Sequence, residues 1–544
     1  MKNFSVQKRS SNIKQLSDET FDIVIVGGGI TGAGVARDAA SRGMKVALVE
    51  AQDFAEGTSS RSSKLIHGGI RYLENLELHL VFEALSERNL LFEIAPHLVH
   101  PLRFLLPVYK GGRVPIWQMA MGMWLYDILA LFQAPKMHEY LNTEDVLDQF
   151  PYLQRKGLDG GFIYSDAAMD DDRLTIETLR SANDLGAICV NHVKATKLEH
   201  SEGLCVLKCE DQAQPGSLEI KAKHVVSAVG PWTDVFGEHL LKSKWKKVMR
   251  PSKGIHLTFT TDRVPLEKAI VMGAEERIVF AIPRNDMVVV GTTDTDYKQN
   301  PDSVHSDEGD VQYVLGVIND YFPGLGLQES DIVSSYSGVR PLVHDGSESE
   351  GKTSREHTVF QPEPFITFVS GGKYTTYRKM ALDVVEQALE SYSSKDRVEF
   401  KNSQTRQPLN PKVTVDSQLI CELQKRSWCK EFNVDLKSVE HFVFRYGFEA
   451  RDLLVINQKY LNLDKSSIWA TEADFAIENT MCMGLVDFYI RRTPLFLSKK
   501  DHGFEFLESI TNVFAEKLGW SKEEQAAQQN ALRQHLQKEM GWRK

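Results

Sequence analysis

From Phe21 to Glu50 the chain changes hydrophobic period three times. FDIVIVGGGITGAGVARDAASRGMKVALVE opens with a continuous apolar run, Ile23 to Val26, as a parallel strand covered on both faces requires. Glycines, a helix and a second apolar run, Val46 to Val49, follow. Two similar runs recur far downstream. Val225 to Val229 lies in KAKHVVSAVGPWTDVFG, and PFITFVS leads through Gly371-Gly372 into a helix from about Thr375. Between them the period falls to two. GIHLTF alternates, and RIVFAIPRNDMVVVGTT reads as a hairpin turning at Arg284-Asn285-Asp286. Past the loop SYSSKDRVEFKNSQTRQPLNP, helical spacing takes over. SQLICEL is compatible with a helix; Phe442, Phe444 and Tyr446 cluster, and Asp487 and Arg491 stand one turn apart and can pair.

These patterns predict an α/β protein: a Rossmann-type dinucleotide-binding domain, an inserted antiparallel-sheet substrate domain and a C-terminal helical domain. Residues 1–20 read as an N-terminal extension, 21–393 as the oxidoreductase region and 394–544 as the helical domain. Within 21–393, nucleotide-binding segments are expected at about 21–100, 155–250 and 330–393, and substrate or cap segments at about 101–154 and 251–329.

At 544 residues two or three domains are expected, and 42% hydrophobic with 25% charged residues describes an ordinary soluble core. The net charge of −10 argues against nucleic acid as a partner but leaves room for a phosphorylated small molecule held by local cations. The six cysteines contain no C-x-x-C pair and read as free thiols of a reducing compartment. Lys2, Lys8, Arg9 and Lys14 precede no apolar run, so secretion is not expected and a cytoplasmic location is. No segment reaches the ~20 apolar residues of a membrane span. The nearest, IWQMAMGMWLYDILALF, is expected to be a buried helix. A helix in a membrane interface, or one lining a quinone channel, is the alternative.

Gly27, Gly29 and Gly32 satisfy G-x-G-x-x-G between strand and helix, and Glu50 ends the second strand. Glycines permit the turn, helix N–H groups face a pyrophosphate, and the carboxylate accepts from ribose hydroxyls while repelling an NADP phosphate. A nucleotide-binding fold assembled from pieces as distant as Phe21 and Ala388, with a long polar loop after Glu50, suits FAD better than NAD.

SSRSSKLIHGGIRYLE, VSAVGPWTD, SGVRPLV and GGKYTTYRKMA together resemble the FAD-dependent glycerol-3-phosphate dehydrogenase family, within the broader group of flavin amine and amino-acid oxidases. FRYGFEARDL and EADFAIENTMCMGLVDFYIRRTPL are similar to that family's extra C-terminal domain. The resemblance implies oxidation of sn-glycerol 3-phosphate to dihydroxyacetone phosphate, with electrons passed to quinone. It also implies that Arg71, Tyr72, Arg340, Lys373 and Thr375 contact substrate or flavin. The helical C-terminal domain is open to three roles, dimerisation (a homodimer), partner docking or peripheral membrane attachment, and the sequence does not choose among them.

The chemistry fits these residues. A phosphate dianion bound by a net-acidic protein needs local cations, and Arg71, Arg340 and Lys373 sit beside Gly or Pro in three separate segments. Arg is a poor base because its pKa exceeds ~12. His67 is therefore the first choice to take the hydroxyl proton, with His256 and Lys373 as further candidates. The loop Thr58, Ser59, Ser60, Ser62, Ser63, His67 and Gly68 is expected to approach the flavin, its serines meeting ring or phosphate oxygens. Gly230, Trp232, Gly338 and Gly372 are expected to complete the cofactor site. GTTDTDY is a candidate loop facing the ring. HDGSESEGKTSREHT reads as a mobile loop at the substrate entrance. No metal site is expected. An oxidase using O₂, an amino-acid oxidase of the same fold and a non-redox FAD-containing binding protein are the alternatives.

Overall fold

The computed structural model describes residues 4–73, 76–274, 277–284, 286–344 and 356–543, with the backbone alone of Arg71. Its first sheet has a parallel spine. Ile366–Gly371, Ser217–Ser227, Thr20–Val26, Val46–Val49 and Ile188–Val190 lie side by side in that order, every pairing parallel. His357–Glu363 closes one edge antiparallel, and the hairpin Val193–Ser201 and Leu204–Asp211 extends from Ser217–Ser227.

The apolar run at Ile23 to Val26 is covered on both faces. Ile23 and Ile25 enter a core shared with helices Ile30–Ser41, Asp171–Asp184 and Tyr377–Leu389; Val24 and Val26 enter another with Val225 and Phe368. Each such side chain, fully buried, contributes about 1.5–3 kcal/mol. Helix Val6–Asp18, from the stretch set apart as an extension, packs on this sheet. Phe4 and Leu16 are fully buried, and Arg9 holds Asp211 at 2.7 and 2.9 Å.

Among the described residues the second sheet has ten strands and is antiparallel apart from the pairing of Ala269–Ala274 with Val99–Tyr109. The expected hairpin forms from Arg277–Arg284 and Met287–Gly291, with Asn285 outside the described residues. Leu158–Met169 and Ser334–Arg340, which fall within segments read as nucleotide-binding, are strands of this second sheet instead. A long apolar strand reads alike whichever sheet receives it, so sequence does not reveal where the chain crosses over.

The helix Ile116–Leu129 corrects another expectation. It is not a buried helix: Trp117, Met121, Trp124 and Ile128 are 63%, 64%, 54% and 50% exposed, one face at helical spacing. Only its opposite side, with Met123 and Tyr126, enters the core. Apolar residues on all sides hid from the sequence which face turns outward. Among the described residues no helix is long and apolar enough to cross a membrane.

The C-terminal region is helical throughout, from Val415–Phe432 to Lys522–Glu539. Asp487 and Arg491 pair at 2.7 Å, as their spacing predicts. All six cysteines are free. Of the stretch read as an entrance loop, residues 345–355 lie outside the described residues.

Candidate active site

A cavity of about 1040 Å³ opens where the carboxyl ends of the parallel strands meet the second sheet. One part of its wall is backbone. Gly27, at φ 111°, follows the strand Thr20–Val26, and Gly29 caps the helix Ile30–Ser41. A Cβ on Gly32 would stand 1.9 Å from the Gly27 carbonyl oxygen, and one on Gly27 would stand 2.5 Å from that of Ala228. Turn, helix and neighbouring strand therefore close on one another with no room for side chains. Glu50 ties the turn from the next strand, accepting the Gly28 N–H at 2.7 Å and the Gln52 N–H at 2.9 Å. Burial raises its pKa against the pull of those two bonds.

The polar loop forms the next part of the wall. Ser59 Oγ accepts the Ile30 N–H at 2.9 Å at the mouth of the helix, and Thr58 Oγ1 donates to the Val339 carbonyl at 2.6 Å. Ser62 lines the cavity, but its hydroxyl is engaged from behind: it donates to Asp171 at 2.6 Å and accepts the Lys64 N–H at 2.9 Å. Lys64 and Asp171 form a buried ion pair beneath the loop. Across the cavity Trp232 Nε1 donates to Asp302 at 2.9 Å.

Side chains from four distant segments complete the wall. Lys373 Nζ sits 3.8 Å from the centre of the Tyr72 ring. Arg340 is braced by Thr292 Oγ1 at 2.9 Å, the Thr293 carbonyl at 3.1 Å and Asp294 at 3.1 Å. The GTTDTDY loop thus orients a cation rather than forming the wall itself. The His67 N–H donates to Thr375 Oγ1 at 3.3 Å. His256 hydrogen-bonds Ser63 through Nε2 at 2.9 Å and stacks on Tyr336 with centroids 4.8 Å apart. Burial, then the Arg340 and Lys64 charges, hold its imidazole well below the ordinary histidine pKa, so it is neutral.

Of the residues singled out from sequence for this site, Gly32, Ser60, Gly68 and Arg71 are the exceptions to a place on the wall. Ser60 is buried behind it, its carbonyl accepting from Lys64 Nζ at 3.3 Å. Gly32 packs behind the turn, and the Arg71 side chain is outside the described residues. Gly68 stands behind the wall too, with its N–H donating to Asp166 at 3.2 Å. A Cβ there would meet Leu85 and Tyr126 at 2.4 Å, so packing from behind, not approach to a ligand, requires that glycine. Sequence reasoning missed the supports: Asp166, which also binds Arg88 and Tyr126, Asp171 with Lys64, and the Arg340 brace. The available sign was a run of carboxylates, YSDAAMDDD, at the end of an apolar strand, where each needs a partner.

Residues 22–378 match the family described as FAD dependent oxidoreductase, and residues 417–525 match the C-terminal domain of alpha-glycerophosphate oxidase. The aerobic glycerol-3-phosphate dehydrogenase of Staphylococcus saprophyticus is 36% identical, covering 96% of this chain and 95% of its own. That of Bacillus subtilis is 34% identical over the same shares. Among solved structures, the glycerol-3-phosphate dehydrogenase from Bacillus halodurans, complexed with FAD, superposes with a TM-score of 0.80 at 28% identity, over 99% of both chains. Glycine oxidase from Geobacillus kaustophilus, at 18% identity and a TM-score of 0.52, shares the fold over 70% of this chain and 98% of its own. The chain belongs to the FAD-dependent oxidoreductases, in the family of the aerobic glycerol-3-phosphate dehydrogenases.

Proposed function

We propose that the protein oxidises sn-glycerol 3-phosphate at C2 to dihydroxyacetone phosphate with FAD, and that quinone at a membrane surface receives the electrons. The observation that carries this reading is the convergence of Arg340 and Lys373 on one cavity in a protein of net charge −10. An amino-acid substrate would call for one cation opposite its carboxylate; a phosphate dianion calls for several.

The residues fit FAD. The turn at Gly27 and Gly29 admits a pyrophosphate against a helix N-terminus, and the cavity is larger than a small substrate alone would fill. When bound, FAD supplies the acceptor for the hydride that leaves C2. Arg340, oriented by Asp294 and Thr292, and Lys373, seated over Tyr72, hold the phosphate. Arg71 belongs to the same proposed set. His67, fixed through its backbone on Thr375, takes the C2 hydroxyl proton as the carbonyl forms. His256, neutral and tied to Ser63, presents no competing charge.

The outward face of Ile116–Leu129 supports the membrane part of the reading. Trp117 and Trp124 are interfacial residues, and exposed Lys110 and Lys136 flank the helix in sequence. Turnover of glycerol 3-phosphate with a soluble quinone analogue, followed by product and peroxide assays, tests the activity. Dihydroxyacetone phosphate in step with quinol, without peroxide, is expected; peroxide in step with substrate would make the protein an oxidase. Co-sedimentation with anionic phospholipid vesicles is expected for the wild type and lost in the double substitution Trp117→Glu, Trp124→Glu. Equal sedimentation of the two would remove this helix from the membrane reading.

A further inference from the structure

The residues lining the cavity end at Met380, so the C-terminal domain contributes none of them. Three of its contacts nevertheless terminate on the cavity wall or directly behind it. Arg491 and Arg492, at the end of helix Leu485–Arg491, converge on Asp53. Arg491 Nε lies 2.7 Å from Asp53 Oδ2, and Arg492 donates to the two carboxylate oxygens at 2.8 and 2.9 Å. Asp53, Arg491 and Arg492 are at most 3% exposed. Burial alone would raise the Asp53 pKa; Arg492 and Arg491 outweigh it and keep the carboxylate ionised. Arg491 also pairs with Glu56, which is itself on the wall.

The second contact comes from the last helix, Lys522–Glu539. Glu539, 2% exposed, accepts from Arg61 Nη1 at 2.6 Å, and Arg61 is a wall residue that also donates to the Ser337 carbonyl at 3.1 Å. Burial would lower the Arg61 pKa, but Glu539 and Glu56 raise it. The chain after Glu539 is anchored in the second sheet, where Met540 enters the core and Trp542 Nε1 donates to Ser335 Oγ at 2.9 Å. In the third contact, Lys538 Nζ donates to the Asp302 carbonyl at 3.0 Å, and Asp302 in turn holds Trp232.

The segment gripped in this way, residues 53–61, has one short turn of regular structure, Thr58–Ser60, and no strand pairing. Its inner side is held by buried Phe54, by the Ala55 N–H on the Gly28 carbonyl at 3.1 Å and by Ser59 on Ile30. That leaves its charged side chains, Asp53, Glu56 and Arg61, to the outer contacts. Ordering such a loop costs conformational entropy that some other contact must offset. We propose that the C-terminal domain is the retaining clamp of the cofactor. Asp53, Glu56 and Arg61 are positioning residues, held from outside by Arg491, Arg492 and Glu539 so that the 53–61 wall is preformed when FAD enters. The inference rests on FAD as the occupant of the cavity. Coupling of this kind is reciprocal: the docked domain tightens FAD, and FAD tightens the docking.

The test compares flavin retention in three variants of the full chain, each stripped of flavin and titrated with FAD by fluorescence quenching. Glu539→Gln keeps the shape and removes the charge opposite Arg61. Lys538→Met releases Asp302 from an exposed position that leaves the fold intact. Lys517→Met breaks ion pairs to Asp474 and Glu478 at 2.8 and 3.1 Å that lie wholly within the C-terminal domain. Glu539→Gln is expected to raise the FAD Kd by about 10-fold, with faster amide exchange in residues 53–61 of the apoprotein. Lys538→Met is expected to raise it by about 3-fold, and Lys517→Met to leave it within about twofold. Wild-type Kd and exchange in a folded Glu539→Gln protein would overturn the clamp. Should Glu539→Gln not fold, a wild-type Kd in Lys538→Met would do the same. A wild-type protein that never binds FAD would defeat the cofactor reading itself, a separate outcome.

Discussion

The cavity is walled in two ways. Around Gly27 and Gly29 the wall is backbone of one glycine turn, packed so closely against its own helix and the neighbouring strand at Ala228 that Gly27 and Gly32 have no space for a Cβ. Around Arg340 and Lys373 it is side chains of His67 and Tyr72, of His256, of Arg340 and of Lys373–Thr375, four segments joined only in the fold. The first wall is a property of local sequence and tolerates almost no change. The second depends on braces that sequence does not display, such as Asp294 on Arg340, and should lose activity in steps.

The largest effect is expected in the backbone wall. Gly32→Val would force a side chain into the Gly27 carbonyl, so the purified protein should carry less than about a tenth of the wild-type flavin, read from its absorbance. In the side-chain wall, flavin should stay and turnover should fall. His67→Gln is expected to lower kcat by about 10²- to 10⁴-fold with little change in KM, the size of a lost proton acceptor. Arg340→Met should lower kcat/KM for glycerol 3-phosphate by about 10²-fold while leaving the slow rate on glycerol unchanged, because glycerol has no phosphate to lose. An equal loss on both substrates would mean that Arg340 supports the wall rather than the phosphate.

His256 gives a smaller effect, in stability. Its folded pKa is depressed, so between that value and the ordinary ~6.5 the unfolded chain binds more protons, and stability rises with pH across that window. At pH 5.5 the penalty from this residue is at most about 1.4 kcal/mol. His256→Gln should therefore narrow the difference in Tm between pH 5.5 and 7.5. The smallest effect is expected at Tyr72. Phe keeps the aromatic face under Lys373 and should change kcat/KM less than about twofold, while Leu should cost about threefold or more.

What was legible in the sequence follows the same division. The glycine turn, its strand and helix, and Glu50 could be read because a dinucleotide fold needs those residue types at that spacing. His67, Tyr72, His256, Arg340 and Lys373 could be named through the family resemblance and the chemistry of a dianion, without their partners. Asp166 and Asp171 were missed because their role is to hold Gly68, Ser62 and Lys64 from behind, and nothing local marks a carboxylate as a support. The exposed face of Ile116–Leu129 escaped for the opposite reason: a helix apolar on every side carries no record of which side faces solvent. The link from Arg491 to Asp53 spans 438 positions, so its spacing predicted the pair with Asp487 and concealed the one that joins two domains.

The most direct test of the account is anaerobic reduction of the bound flavin, followed by its absorbance, with glycerol 3-phosphate, glycerol and a D-amino acid added separately to the purified protein. Rapid bleaching by glycerol 3-phosphate alone is the predicted result. A yellow, folded protein that glycerol 3-phosphate fails to bleach, or that the amino acid bleaches instead, would contradict the assignment of Arg340 and Lys373 to a phosphate.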